Sequence, residues 1–305
     1  MANQKKIGES LCAWLQLFRL PNLPTAPGDA LAGAAVGGLF VEGFDARRAL
    51  AAGGAALALY MFGLVDNDLA GLDEDARTTP ERPLPRGAIS LPAARAARVL
   101  CLACALALGA LFALPPAWWV CAAALVGAIM LYNRVKGAWA MGVCRGLSAL
   151  CGAAAVVVFP PSRPALLALG ALALGETLYI AAVTRLSEGE AQAREGLGAM
   201  RWALGLAAWT PCAACFVFPQ PRLALLPVLG ALWTFATWCV AVAPLGAPHD
   251  PARRRAAVGR TIGALLYVQI GFMLVTPQRA FLVTAFVLWL AARVIRRCAP
   301  SIQGS

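Results

Sequence analysis

Apolar residues fall along this chain in ten long runs, with polar and charged positions gathered in the short stretches between them. The runs cover about 20–41, 48–65, 92–113, 116–132, 138–159, 164–184, 199–218, 222–243, 257–275 and 279–295. A helix needs roughly 20 apolar residues to cross the hydrocarbon core of a bilayer. Inside the runs Ala and Gly alternate with Leu and Val, and small residues let helix backbones approach closely in lipid. The pattern predicts an all-α fold: a polytopic transmembrane helical bundle of nine to ten helices, in one integral membrane domain over 1–305. Ahead of the first run, Leu11–Phe18 is mixed in character and runs into Pro21, Pro24 and Pro27. It reads as a short interfacial helix over about 8–19. The stretch 66–91 reads as an acidic and arginine-rich loop.

Composition agrees with lipid as the solvent. Hydrophobic residues make up 60% of the chain and charged residues 13%, where a soluble domain is about half apolar and a quarter charged. Mean hydropathy is +0.70. Disorder is excluded, because disordered chains are poor in apolar residues. The ten Cys are scattered, most of them inside apolar runs, and read as small packing residues. Cys101-x-x-Cys104 and Cys212-x-x-Cys215 have the spacing of metal pairs. With His249 the one histidine of the chain, they read as packing and not zinc.

The charge is informative through its position. The formal net charge is +11, which on a soluble protein would suggest nucleic acid. On a membrane protein, basic residues mark the cytoplasmic loops. With the N-terminus inside, 20 Lys and Arg fall on the cytoplasmic side and 5 on the other, and Arg145 lies within a run. This places both termini inside, as in a multi-pass protein of a bacterial inner membrane. No nucleic-acid partner is expected, and the oligomeric state is not legible. Arg253-Arg254-Arg255 fixes topology and touches anionic lipid, and Trp118-Trp119 reads as an aromatic anchor at the interface.

One stretch concentrates the acids. Asp66, Asp68, Asp73, Glu74 and Asp75 lie within ten residues after the second run. If the helix continues, Asp68 and Asp75 stand seven residues apart, two turns along one face. Clustered carboxylates repel unless a cation sits between them. Hard oxygen ligands without Cys or His suit Mg2+. The alternative is a solvated acidic loop. The neighbouring residues favour a site: Arg77, Arg82 and Arg86 come next, spaced by Pro80, Pro83 and Pro85. Guanidinium groups fork onto phosphate oxygens. Acids for Mg2+ beside arginines for phosphate are what a diphosphate site requires. Arg134 and Lys136 fall on the same side of the membrane.

Asn67-Asp68, Asp75 and Arg82-Pro83-Leu84-Pro85-x-Gly87-Ala88-Ile89-Ser90 resemble the first aspartate-rich motif of the UbiA superfamily of intramembrane prenyltransferases. Leu17-Phe18-Arg19-Leu20-Pro21-Asn22 and Leu131-Tyr132-Asn133-Arg134-x-Lys136 are similar to the same family. Met141–Leu147 and Thr184–Glu190 look most like its EboC-like branch. The resemblance implies a membrane transferase of alkyl or aryl groups other than methyl. It would move a prenyl group from a Mg2+-bound prenyl diphosphate to a lipophilic acceptor, aromatic or a small metabolite. It implies Asp68, Asp75 and Glu188 as catalytic residues. Asp68, Asp75, Glu188 and Glu190 would hold metal. Asn67, Arg82, Arg86 and Lys136 would bind the donor. The middle acid of the family's first motif falls on Gly71, and the leading acid of its second motif is missing before Glu188.

A second group of charges lies inside the runs. An ionised side chain near a helix centre costs about 2.5–3.5 kcal/mol on insertion scales. Arg145 and Glu176 lie at matched depth, roughly 12 Å into their runs at ~1.5 Å per residue, and Asp29 is comparably deep. The expected arrangement is an Arg145–Glu176 ion pair with Asp29 as competitor. Such a pair is either structural or the polar floor of a cavity that binds a substrate head group. Two rival functions stay open. One is a non-catalytic UbiA-like protein that binds or exports a small lipophilic metabolite. The other is an unrelated transporter, for which no inverted repeat speaks.

Overall fold

The computed structural model describes residues 2–157, 160–188, 205–242 and 251–298. Among them every regular element is a helix. In chain order the α-helices are α1 (Ala2–Leu17), α2 (Thr25–Gly38), α3 (Ala46–Ala70), α4 (Leu72–Thr78), α5 (Leu91–Leu111), α6 (Pro116–Val135), α7 (Ala138–Ala154), α8 (Arg163–Glu188), α9 (Leu225–Val242), α10 (Pro251–Met273) and α11 (Arg279–Cys298). Short 3-10 segments cover Leu20–Asn22, Ala207–Val217 and Pro221–Ala224.

Local chemistry sets the starts. Asp45 caps α3 by accepting from the backbone N–H of Arg47 and Arg48. Ser90 caps α5 by accepting from Ala93 N–H, with Pro92 in its first turn. Such caps satisfy orphan N–H groups of the first turn. Before α5 the chain turns at Gly87, whose φ of 72° suits a residue without Cβ.

Six helical stretches are long and apolar enough to cross a membrane: Ala46–Ala70, Leu91–Leu111, Pro116–Val135, Arg163–Ser187, Pro221–Val242 and Ala256–Met273. The other four apolar runs form different helices. α2 has 14 residues and α7 has 17. The run 199–218 becomes, where described, the 3-10 segment Ala207–Val217 with Pro211 inside it, since proline removes a donor and clashes with the preceding turn. α11 carries Arg279, Arg293, Arg296 and Arg297.

Two boundaries and one packing contact differ from the sequence reading. The interfacial helix is longer, Ala2–Leu17. The stretch from 66 is not all loop: α3 continues to Ala70 and α4 comes after one interruption at Gly71. α1 does not stand apart either. Its Ala13 and Leu17 pack with Val65, Leu84, Ile89 and Ala94, so the N-terminal helix covers the end of α3 and the arginine loop.

Small residues bring the central helices together. A Cβ on Gly33 would strike the carbonyl oxygen of Ala149, and one on Gly152 would strike that of Ala30. α2 and α7 therefore cross backbone to backbone, as small residues allow in lipid. Gly142 and Gly146 do the same for α7 against Thr177 and Ala173 of α8. This packing puts Asp29, Arg145 and Glu176 in one buried centre.

Candidate functional site at the end of the third helix

A partly open cavity lies between α2, α3, α6 and α7, with about 590 Å³ of empty space when the solvent at its mouth is counted. Its walls are mainly apolar, with Leu64, Leu125, Ile129 and Met141 among them. Polar groups occupy two levels. Arg19, Asn67, Tyr132 and Asn133 line it at the C-terminal end of α3, and Asp29, Tyr60, Arg145 and Ser148 line it deeper in the bundle. Tyr60 marks the second level, with the Arg145 guanidinium 6.0 Å from its ring centre. It stands seven residues before Asn67, roughly 10 Å along the helix.

At the first level the acids are cross-braced. Asp68 is buried beside Arg19, with 3.6 Å between Oδ1 and Nη2, and its Oδ1 accepts from Asn67 Nδ2 at 3.3 Å. Asp75, on α4, is also buried. Its Oδ2 accepts from Arg82 Nη1 at 2.7 Å and its Oδ1 from Thr79 Oγ1 at 3.3 Å. Glu74 pairs with Lys136 at 3.1 Å. Asp66 serves the bundle: Arg98 donates to one of its oxygens at 2.9 Å and Asn133 to the other at 2.7 Å. Arg86 reaches away from the acids and donates to Gln16 of α1 at 2.8 Å.

Two of the cations stand on unusual backbone. Arg19 and Lys136 have φ of 47° and 46° in the left-handed region, which is costly for residues with a Cβ. Each ends a helical stretch there, and the turn carries its side chain toward the end of α3. Lys136 is the C-cap of α6, its N–H bonded to Tyr132 O.

At the second level Arg145 pairs with Asp29 (Nε to Oδ2, 2.8 Å) and donates through Nη2 to Thr25 O at 3.0 Å. Gln269 of α10 donates through Nε2 to Asp29 Oδ1 and to Thr25 O. The expected Arg145–Glu176 ion pair is thus replaced by Arg145–Asp29. Matched depth did not decide the partner, because α2 and α8 both pack closely on α7, and depth does not report the direction a side chain faces around its helix. Glu176 is fully buried, faces Asp29, and finds no donor among the described residues.

The structure therefore gathers Asp68, Asp75, Arg82 and Lys136 around the end of α3, next to Asn67, which lines the cavity, and sets Arg145 in the deep wall of the cavity with Glu176 buried behind it against Asp29. Arg86 stands outside. Glu188 closes α8, but its side chain and the whole of Glu190 lie outside the described residues. Sequence reasoning did not assign Arg19, Asn133 or Gln269 to the site, and it named Asp29 only as a competitor for Arg145. Gln269 carried a signal, as an amide inside an apolar run.

Among the described residues no three acidic, His or Cys side chains gather as an all-protein metal cage. Asp68 and Asp75 offer two hard carboxylates, with the Asn67 amide beside them. That donor set suits Mg2+, which typically takes one or two carboxylates and completes its shell with waters and substrate phosphates.

The model of the UbiA prenyltransferase family matches residues 24–257. The chain belongs to the UbiA prenyltransferase family. That membership and the six apolar helices make it an integral, multi-pass membrane protein. Two solved structures share the fold. One is the apo structure of a UbiA homolog from Aeropyrum pernix K1, with TM-score 0.56 and 19% identity, over 88% of this chain and 97% of that one. The other is described for digeranylgeranylglyceryl phosphate synthase in membranes, with TM-score 0.53 and 18% identity, over 87% of this chain and 97% of that one. No curated protein sequence matches the chain. Membership in the UbiA family supports prenyltransferase activity in general terms, and nothing in the match separates the EboC-like branch from the rest.

Proposed function

We propose that this UbiA protein transfers a prenyl group from a Mg2+-bound prenyl diphosphate to a lipophilic acceptor held in the membrane cavity. The observation that carries the reading is the two-level cavity. Hard oxygen ligands and phosphate-binding cations collect at one end, and a separate polar cluster stands roughly 10 Å deeper. Asp68 and Asp75 would hold the metal with Asn67 beside them, and Arg82, Lys136 and Arg19 would take phosphate oxygens. Glu188 and Glu190 would complete a second ligand set, and the acidic end would face the cytoplasm.

Bound Mg2+ supplies charge neutralisation for the diphosphate. The chain does the rest. Arg82 and Arg19 are already aimed at the carboxylates, so both exchange partners when a diphosphate arrives and need no new conformation. They stabilise charge on the leaving oxygen as the allylic C–O bond breaks and its electron pair departs with diphosphate. The acceptor nucleophile donates the electron pair of the new bond and loses a proton, which diphosphate takes. Leu64, Leu125 and Ile129 keep water from the allylic carbon.

The test is release of diphosphate from labelled allylic diphosphates of several chain lengths by the purified protein in lipid. Mg2+-dependent release that is lost in Asp75→Asn supports the reading. Tight binding of a lipophilic metabolite without any release at any chain length would favour the non-catalytic reading instead.

A further inference from the structure

Both guanidinium groups that line the cavity are matched by a carboxylate. Arg19 stands beside Asp68, and Arg145 is paired with Asp29. The deep pair sits in a larger balance. The carboxyl of Glu176 lies against that of Asp29, fully buried, with no donor among the described residues. Two carboxyl groups buried side by side carry one charge between them, because each ionised carboxylate disfavours ionisation of the other. The Asp29–Glu176 pair then carries a single negative charge, which Arg145 cancels. The other polar groups at this level, Tyr60, Ser148 and the Gln269 amide, are uncharged.

A buried site whose fixed charges already cancel has no unmatched charge to offer a charged ligand. An anionic head group brought beside Arg145 would have to compete with Asp29, which already holds the one guanidinium described at this level. A hydroxyl meets no such conflict. It can donate to a carboxylate oxygen and accept from a guanidinium or a tyrosine while the ion pair stays closed.

We propose that the acceptor of this protein carries a neutral hydroxyl head group, bound at the Asp29–Arg145 pair, and that the cavity rejects a carboxylate head of the same size. This rests on the prenyltransferase reading. Asp29 is accordingly a specificity-determining residue, since it spends the positive charge that would otherwise select an anion.

The experiment is equilibrium binding of two matched probes, a para-alkylphenol and the para-alkylbenzoate of equal chain length, to the protein in nanodiscs, with empty discs as reference. The wild-type protein should bind the phenol at least about tenfold more tightly, a difference of ~1.4 kcal/mol. The double variant Asp29→Asn/Glu176→Gln leaves Arg145 uncompensated and should shift the preference toward the benzoate. Both carboxyls are changed because Glu176 can replace Asp29 as the partner. The wild-type ratio needs no variant, so the proposal stays decidable if the double variant does not fold. Equal or tighter binding of the benzoate by the wild type, or binding of neither probe, overturns it. So does a folded double variant with an unchanged ratio. Mg2+-dependent binding of prenyl diphosphate is measured on the same sample: if it persists while the probe ratio fails, only this inference falls, and if it is absent the parent reading falls.

Discussion

The amine of Lys136 lies 3.0 Å from the point where a Cβ on Gly71 would stand, and Asp75 Oδ2 lies 3.7 Å from that point. A cation therefore occupies the middle of the acidic motif, at the one position where the family pattern places another acid. The contact is with the far end of a flexible side chain, which can retreat. Gly71 is buried, and the same Cβ would also meet the backbone oxygen of Asn67 at 3.3 Å, so Gly71→Ala is expected to cost about 1 kcal/mol, read by thermal unfolding in detergent. Gly71→Asp adds a carboxylate between Asp75 and Lys136. It should lower the Mg2+ concentration for half-maximal donor binding several-fold. An unchanged Mg2+ requirement would mean that this position does not border the metal.

Asp29 and Glu176 differ in what their loss leaves behind. Asp29 holds Arg145 at 2.8 Å and also accepts from Gln269, whereas Glu176 has no donor among the described residues. Removing one partner of a buried pair typically costs about 3–5 kcal/mol. Arg145→Met should show a loss of this order, because two carboxyls are then left facing each other. Glu176→Gln keeps the Arg145–Asp29 pair and should cost less than about 1.5 kcal/mol. Unfolding titrations in bilayers give both numbers. A larger loss for Glu176→Gln than for Arg145→Met would contradict the pairing.

Asp66 belongs to the same acidic run as Asp68, yet it holds Arg98 and Asn133 together. Asp66→Ala leaves both donors without this acceptor and should destabilise by about 1–3 kcal/mol. Donor binding by the protein that remains folded should keep its Mg2+ dependence. If that dependence disappears in folded Asp66→Ala, the division between bracing and ligand acids is wrong.

The crossing of α2 over α7 has no room for a side chain. Gly152→Ala drives a Cβ into the carbonyl of Ala30, a backbone atom that cannot step aside. Overpacking of this kind typically costs about 1–3 kcal/mol. The substitution should also widen the deep level of the cavity, read as faster accessibility of Cys144 to a thiol reagent. Cys144 lines that cavity and is buried. Unaltered labelling and stability would show that the crossing tolerates more than this geometry allows.

Much of the bundle was legible because lipid imposes length and apolarity on each span, and runs such as 92–113 and 164–184 met α5 and α8 within a few residues. The run 138–159 was read as a span but closed as a 17-residue helix, since apolarity does not report where a helix stops. Asp68, Asp75 and Arg82 were legible through local spacing, which a helix and a short loop preserve. Arg19 with Asp68 and Gln269 with Asp29 were not, for a tertiary reason. They are joined across 49 and 240 residues, and depth along a helix says nothing of the direction a side chain faces around it. Asp29 prevailed over Glu176 for the same reason.

The central claim is that Asp68 helps hold a prenyl diphosphate through Mg2+ at the end of α3. It is tested most directly by equilibrium binding of a labelled prenyl diphosphate to the wild-type protein and to Asp68→Asn, each with and without Mg2+. Binding by the wild type should require Mg2+, and the variant should lose at least about tenfold in affinity. Binding of equal strength in both proteins, or binding indifferent to Mg2+, would contradict it.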